Sequence, residues 1–253
     1  MISKAKLKLI KSLALKKRRD ENGLFVAEGA KTVFELLKRF ECHSIFITDE
    51  CVTQFGMPDK QIQAEIVSRE ELSKASLLTT PHNALAIFKK EALIAETQFG
   101  QILQTSLCLG LDDIQDPGNL GTIIRIADWF GIEHLFCSPH TADAYSPKTV
   151  QATMGALARV HIHTVSLDEL LGKNKDIPVF GTLLDGRNIY TQPLSDHGLI
   201  LMGNEGNGIS ETLKKHISHR LFIPSYPVGR STSESLNVAT ATAIVCAEFR
   251  RRN

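Results

Sequence analysis

The sequence lacks the long apolar segments that membrane insertion and export require. None of its apolar runs approaches the ~18 residues that span a bilayer. The N-terminal region, which is rich in lysine, has no apolar segment of the kind found in signal peptides. We therefore expect a cytoplasmic protein with no membrane partner.

Cysteine is scarce, and its spacing matches no known metal-binding pattern. The chain has five cysteines, an odd number, and they are widely separated: Cys42, Cys51, Cys108, Cys137 and Cys246. Zinc sites and disulfide frameworks both require closer or paired cysteines. The sequence predicts reduced thiols and no bound metal.

Two common nucleotide-binding signatures are also missing. There is no P-loop, and Gly203, Gly206 and Gly208 have their spacings in the wrong order for the dinucleotide fingerprint G-x-G-x-x-G. A nicotinamide-dependent dehydrogenase fits the alternation of strands and helices described below. Without a phosphate-binding loop, it remains an alternative rather than the preferred interpretation.

Charge is nearly balanced overall but concentrated at one end. The 253 residues carry a formal net charge of +1, and 43% of them are hydrophobic, enough for a sizeable core. Eight lysines and arginines lie between Lys4 and Arg19, before the first acidic residue, Asp20. Such a run can neutralise phosphates of a nucleic acid. The alternative is a solvated helix with no ligand.

Two α/β domains are predicted from the hydrophobic pattern. Residues 1–95 form a small domain, in which Ser68 is expected to cap a helix. Weak patterning over Glu91–Gln104 indicates a linker. From residue 104 to 253, strands alternate regularly with helices, which is typical of a mostly parallel sheet covered on both faces. The last helix, from Leu236 to Arg250, is apolar on most of its circumference, so we expect it to be buried in a core or against another subunit.

The first helix predicted in the second domain carries two candidate site residues. Asn119 opens the helix Asn119–Phe130, where it could act as an ordinary N-cap or face a ligand. At ~100° per residue, Arg125 lies opposite the apolar face of that helix. It therefore points to solvent, a ligand or a partner chain.

Further candidates follow two later strands. Glu205 lies in the glycine-rich turn after the strand Leu199–Met202, where ligands of open α/β sheets collect. Ser235 and Asn237 precede the last helix and could be caps or site residues. His161 and His163 are expected on the outward face of a strand, away from any catalytic constellation.

Three motifs resemble those of the SpoU (TrmH-type) family of RNA ribose 2′-O-methyltransferases, in the SPOUT superfamily. They are Asp116–Gly121 with Arg125, then Leu201–Ile209, and then Ile223-Pro224 with Ser235–Ala239. Supporting pieces are Ser146–Gly155 and Gly181–Gly186. The loop between Pro224 and Ser235, which includes Tyr226, Pro227, Arg230 and Glu234, is longer than in many relatives.

The resemblance implies a trefoil-knotted catalytic domain over residues 104–253, preceded by a ribosomal-protein-like RNA-binding domain. It implies a homodimer with active sites at the subunit interface, and S-adenosylmethionine held in the knot. The cofactor would be held largely by backbone groups around Thr182, Leu183, Gly203, Ile223 and Leu236.

The activity implied by the resemblance is methylation of a ribose 2′-hydroxyl in RNA. Arg125, Asn119, Glu205, Ser235 and Asn237 are then the catalytic residues. The separate N-terminal domain favours ribosomal RNA as the substrate. Transfer RNA methylation, and a catalytically silent RNA-binding assembly factor of the same fold, are the alternatives.

Overall fold

A computed structural model describes residues 1–59, 61–92, 94–227 and 235–251. Its helices are α1 (Lys4–Ser12), α2 (Lys16–Asn22), α3 (Ala30–Leu36), α4 (Asp49–Phe55), α5 (Arg69–Ala75), α6 (Phe99–Thr105), α7 (Pro117–Trp129), α8 (Pro147–Thr153), α9 (Leu167–Lys173), α10 (Glu211–Lys214) and α11 (Val238–Arg251). Its strands are β1 (Leu24–Glu28), β2 (Cys42–Ile47), β3 (Ala64–Ile66), β4 (Ala84–Lys89), β5 (Leu107–Leu111), β6 (His134–Cys137), β7 (His161–Thr164), β8 (Val179–Asn188), β9 (Gly198–Met202) and β10 (His219–Phe222).

The chain divides into two compact units, and the division does not follow the chain order. The first unit contains residues 1–92 together with 143–159, so α8 belongs to it. The second contains the described residues between 93 and 142 and from 160 onward. Within the described part of the chain, no helix is long and apolar enough to cross a membrane.

The first unit is built on a mixed four-stranded sheet in the order β1-β4-β2-β3. One face packs against α1 and α5 through a core that includes Ile10, Phe46 and Leu72. On the other face, the rings of Phe25 and Tyr145 lie 4.9 Å apart. Ser68 caps α5 as expected, in a capping box with Glu71.

The second unit contains a six-stranded sheet in the order β10-β8-β9-β5-β6-β7, and every pairing is parallel. Helices α6, α9 and α10 contribute to the core on one face, which includes Phe99, Leu170 and Leu213. Helices α7 and α11 pack against each other. The predicted α/β architecture with a mostly parallel sheet is confirmed.

Strand β8 departs from regular pairing at a position that matters for the site. Gly181 pairs with Arg220 of β10, but the next residue of β10, Leu221, pairs with Arg187. Residues 182–186 therefore project from the ladder as a bulge. A Cβ at Gly186 would overlap the backbone of Leu221, so the bulge returns to the sheet by a close approach that only glycine allows.

Several local predictions differ from the structure. The segment Glu91–Gln104 contains most of α6, whose Phe99 and Leu103 are buried. His163 is 4% exposed, stacks on Phe136 and contacts the tilted ring of Phe99, so its predicted outward orientation is wrong. The reason is that α6 covers this face of β7, and the weak pattern of α6 did not predict a helix there.

The last helix is buried over much of its surface, as predicted. Val245 and Phe249 are fully buried, while Ala247 on another face is exposed. Arg250 donates from Nε to the carbonyl of Phe130 at 2.7 Å and from Nη2 to that of Gly131 at 2.8 Å. It thereby satisfies carbonyl groups at the C-terminal end of α7 rather than only those of its own helix.

Candidate functional site

The loops that carry the predicted residues meet at one edge of the six-stranded sheet. Because all strands of this sheet are parallel, their carboxyl ends lie on the same side. Gly203 follows β9 and Ile223 follows β10, while Thr182 and Leu183 lie in the bulge of β8. The structure therefore places these four predicted cofactor-binding residues at a common rim.

Asn119 is not the N-cap of α7. That position belongs to Asp116, whose Oδ1 accepts from the backbone N–H of Asn119 at 2.8 Å. Proline at the first helical position, Pro117, fixes the start of the helix two residues earlier than predicted. The side chain of Asn119 is thus released from capping and is available to the site.

Three predicted residues are joined in one hydrogen-bonded relay. Asn237 donates from Nδ2 to Oδ1 of Asn119 at 3.0 Å. Asn119 in turn donates from Nδ2 to Oε1 of Glu205 at 2.6 Å. The relay connects the N-terminal ends of α11 and α7 with the glycine-rich turn after β9.

The direction of the relay is fixed at both ends. Oδ1 of Asn237 accepts from the backbone N–H groups of Ala239 and Thr240, so its amide nitrogen must face Asn119. At the other end, the Glu205 carboxylate can only accept when ionised. Asn237 is therefore both the cap of α11 and an orienting residue, and the two interpretations of this position hold together.

The glycine-rich turn that presents Glu205 is organised by its own backbone. Asn204 and Gly208 form an isolated β-bridge, and Oδ1 of Asn204 accepts from the N–H groups of Gly206 and Asn207 at 2.8 and 3.1 Å. A Cβ at Gly203 would overlap the backbone of Gly208 and Ile209. The turn folds back too tightly for any other residue at that position.

Arg125 and Ser235 are not part of the relay. Arg125 lies on an exposed position of α7, and among the described residues it makes no hydrogen bond or ion pair. Ser235 is also exposed. Residues 228–234 of the long loop, including Arg230 and Glu234, lie outside the described residues.

The site contains polar residues that the sequence reasoning did not single out. Asp112 accepts from the N–H of Ser210 at 2.8 Å, and the carbonyl of Asp113 accepts from Nδ2 of Asn204 at 2.8 Å. Both acidic residues directly follow β5, and that position was the available signal.

The cysteines of the central strands β5 and β6 are buried. Burial raises the pKa of Cys108 and of Cys137 to about 12, so both thiols remain neutral at physiological pH. Among residues the structure describes, no group of three or more His, Cys, Asp or Glu side chains is arranged to hold a metal ion.

Thr182 has its hydroxyl engaged within the sheet. It donates to the carbonyl of Leu201 at 3.3 Å and lies 3.6 Å from the sulfur of Met202. Apolar side chains nearby are partly uncovered. Leu236 is 46% exposed and Leu184, within the bulge, is 74% exposed. The rim thus combines an acidic polar relay with apolar surface, an arrangement that suits a ligand with both characters.

Comparison with known proteins identifies the two regions of the chain separately. The sequence model of the SpoU rRNA Methylase family matches residues 106–247. That of the MRM3-like substrate binding domain matches residues 4–86. The first match contains every residue of the relay.

Relatives cover the whole chain. The sequence is 32% identical over 253 residues to the 23S rRNA (guanosine(2553)-2′-O)-methyltransferase RlmP of Bacillus subtilis, covering 97% of this chain and 96% of that protein. A TrmH-family structure from Porphyromonas gingivalis superposes with a TM-score of 0.88 at 37% identity, over 100% of both chains. An AdoMet-bound rRNA methyltransferase from Sinorhizobium meliloti superposes with a TM-score of 0.84 at 28% identity, over 100% of this chain and 97% of that one. The chain belongs to the SpoU rRNA methylase family.

Proposed function

We propose that this protein transfers a methyl group from S-adenosylmethionine to a ribose 2′-hydroxyl of ribosomal RNA. The observation that carries the proposal is the relay from Asn237 through Asn119 to Glu205, at the carboxyl edge of the parallel sheet. Relatives that cover the whole chain, including RlmP, support an RNA substrate and favour ribosomal RNA.

The rim residues fit S-adenosylmethionine. Leu183, Ile223 and Leu236 offer partly uncovered apolar surface for an adenine ring, and the tight turn at Gly203 brings backbone close to it. Thr182 orders the bulge through its bond to Leu201. The cofactor supplies a methyl group on a sulfonium, and the AdoMet-bound relative supports this choice.

The relay has a clear task in such a reaction. A ribose hydroxyl is a weak nucleophile near neutral pH, so it must be positioned and its proton must be accepted. Asn119 uses its amide N–H on Glu205 and its carbonyl on Asn237, so it holds the carboxylate rather than the substrate. We assign Glu205 and Ser235 to contact with the nucleotide, and Asn119 and Asn237 to orientation of Glu205.

Arg125 is assigned to the phosphate next to the target ribose. With a pKa above ~12, a guanidinium is a costly base, but its planar fork binds phosphate by two hydrogen bonds. Because Arg125 has no partner within the described residues, its donors are available for this contact. Any proton transfer at Arg125 would depend on the bound phosphate.

A homodimer completes this arrangement in our proposal. Thr122, Arg125 and Trp129 are exposed on one face of α7, and Trp129 is 85% exposed. An uncovered tryptophan beside an arginine is typical of a protein interface. A second copy on this face would place Arg125 at the subunit boundary. We also propose that the C-terminal segment threads through a loop to form a trefoil knot, for which the packing of α11 on α7 is the support.

The N-terminal region is proposed as the RNA-binding domain, over residues 1–95, with the catalytic domain over 104–253. The match of residues 4–86 to a substrate-binding domain supports this assignment. The cytoplasm is the proposed location, and the five cysteines, which are all free, agree with a reducing compartment.

Methyl transfer from labelled S-adenosylmethionine to ribosomal and transfer RNA tests the proposal, followed by mapping of 2′-O-methyl positions. We expect incorporation into ribosomal RNA. Arg125→Ala should reduce turnover by about 10²-fold or more, the scale on which misplacement of a reacting group is felt, while cofactor affinity measured by calorimetry changes little. Lys173→Ala, at an exposed cation that ends α9 and is not among the proposed site residues, is the control.

Three outcomes would contradict parts of this proposal. Incorporation only into transfer RNA would show that the substrate is transfer RNA rather than ribosomal RNA. RNA binding without any incorporation would indicate a catalytically silent assembly factor. Near-wild-type turnover of Arg125→Ala would remove the role of that residue.

A further inference from the structure

A non-glycine residue in the left-handed region lies at the base of the site. Asp113, directly after β5, has a φ of +56°. Side chains other than glycine adopt this region at a cost of order 1 kcal/mol, and Asp and Asn tolerate it best. Such a conformation persists only where surrounding contacts hold it, so the contacts of Asp113 indicate what it does.

Asp113 is locked to the end of the neighbouring strand by one serine. The backbone N–H of Asp113 donates to Oγ of Ser138 at 2.9 Å, and that hydroxyl donates back to Oδ1 of Asp113 at 2.6 Å. Ser138 follows β6 directly and is 7% exposed. The reciprocal pair fixes the backbone of Asp113 at both its N–H and its side chain.

The locked backbone supports the turn that carries Glu205. The carbonyl of Asp113 accepts from Nδ2 of Asn204 at 2.8 Å. The orientation of this amide is fixed, because Oδ1 of Asn204 already accepts from two backbone N–H groups of the turn. A continuous series of hydrogen bonds therefore runs from Ser138 to the residue that precedes Glu205.

We propose that Asp113 and Ser138 are positioning residues that hold the Asn204–Gly208 turn, and through it the Glu205 carboxylate, in the geometry required for methyl transfer. The inference rests on the proposed function. Neither residue has any need to touch the RNA or the cofactor, since their effect passes through Asn204. Asp112 anchors the other end of the turn by accepting from Ser210.

Two substitutions break the link in different ways. Ser138→Ala removes the hydroxyl, while residue 113 still carries the conformational cost of its positive φ. Asp113→Gly suits the positive φ but removes the carboxylate that holds Ser138. We expect each to lower kcat by about tenfold or more, since a misplacement of about 1 Å can cost about 10²-fold. The Kd for S-adenosylmethionine should rise by a smaller factor than the fall in kcat, because Gly203 at the start of the turn is only one of the proposed cofactor contacts. Asp113→Asn keeps an oxygen that can accept from Ser138, and asparagine tolerates the left-handed region. This variant should therefore retain most of the wild-type kcat.

Two measurements separate positioning from a general loss of structure. Hydrogen exchange at the amides of Gly206 and Asn207 should accelerate in Ser138→Ala, since both depend on the orientation of Asn204. Adding Ser138→Ala to Glu205→Gln should cost little further turnover, because residues that act through one another are not additive. Ser166→Ala, which removes the cap of α9, is the matched control: it should lower thermal stability and leave kcat unchanged.

Unchanged exchange and unchanged kcat in both variants would overturn the inference, as would full additivity with Glu205→Gln. If the wild-type protein methylates no RNA, the proposed function fails instead. Exchange at the turn is measured without substrate, so it distinguishes that failure from an absent link.

Discussion

Two arginines on two helices show how differently the same side chain is used in this molecule. Arg19 of α2 is 3% exposed. It donates from Nη2 to Asp143 at 2.6 Å and from Nη1 to the carbonyls of Leu13 and Ala14 at 2.7 and 2.8 Å. Arg125 of α7 is exposed and has no such partner among the described residues. All three guanidinium nitrogens of the first donate within its own unit, whereas those of the second remain available.

This difference shows that the count of positive charges near the N-terminus overstates the number that can bind RNA. Arg19 belongs to the run that predicted phosphate binding, yet it is part of the core of the first unit. Lys6 forms an ion pair with Glu65, and Lys11 donates to the carbonyl of Ser76. Because donors of these side chains are already engaged within the protein, we expect them to neutralise fewer phosphates and so to release fewer counterions from the RNA.

The largest expected effect concerns Arg19. Arg19→Met should lower the free energy of unfolding by about 3–5 kcal/mol, because it leaves the Asp143 carboxylate, 14% exposed, without its partner. Arg19→Met combined with Asp143→Leu should recover a large part of this loss, since two apolar side chains can replace a buried pair. Urea denaturation followed by circular dichroism measures both.

A loss below about 1 kcal/mol for Arg19→Met would show that the buried pair is no more important than a surface one. Arg18→Met is the control, because Arg18 is 55% exposed at its side chain and pairs with Glu21 on the same helix. Its effect should remain within about 0.5 kcal/mol.

A smaller effect is expected at Trp129, four residues after Arg125 on the same exposed face. Trp129→Glu should weaken the proposed dimer by at least about 30-fold, the effect of losing an interface residue that contributes about 2 kcal/mol. Sedimentation equilibrium across a concentration series measures this constant. Methyl transfer should fall in parallel if Arg125 acts at the subunit boundary.

Leu15→Glu is the control for Trp129, because Leu15 is 63% exposed in the first unit and the same charge is introduced. A monomeric wild-type protein, or a dimer unaffected by Trp129→Glu, would show that this face serves another purpose. Arg125 would then reach RNA from a single chain.

The relation between sequence and structure can be followed residue by residue. Short apolar runs that alternate with helical segments were enough to predict the parallel sheet, because buried parallel strands need continuous apolar runs such as Leu199–Met202. This pattern did not predict α6, because the helix is short and only two of its residues, Phe99 and Leu103, are buried in the core. Nor could it assign α8 to the first unit, because that depends on contacts distant in sequence.

The candidate site was likewise predictable in its individual residues but not in the contacts between them. The positions of Asn119, Glu205 and Asn237 on loops were predictable, but their joining into one relay requires three strand ends and two helix ends to converge. The positive φ of Asp113, on which its proposed role rests, was not predictable, because it is a property of the folded backbone. A pair of acidic residues after a strand does not by itself indicate a strained residue.

The smallest effect, and the one that tests the count of available cations most directly, is expected at Lys4 and Lys8. Both are exposed on α1, one turn apart, and neither has an ion pair within the part of the chain that is described. Deleting the segment before Asp20 would be a poor test, because it removes the fully buried Ile10 and Leu13. We expect Lys4→Gln with Lys8→Gln to reduce the slope of log K against log salt for RNA binding by about 1.5, since each lost phosphate contact contributes about 0.7–0.9.

The matched control is Lys6→Gln with Lys11→Gln, which removes the same charge from the same helix where the ammonium groups already have partners. Filter binding between about 50 and 200 mM salt, the range over which such contacts are weakened, should show the slope of this control close to the wild-type slope. Equal slopes for the two double variants would show that contact with phosphate does not depend on which lysines are already paired, and the distinction drawn between Arg19 and Arg125 would not extend to the lysines of α1.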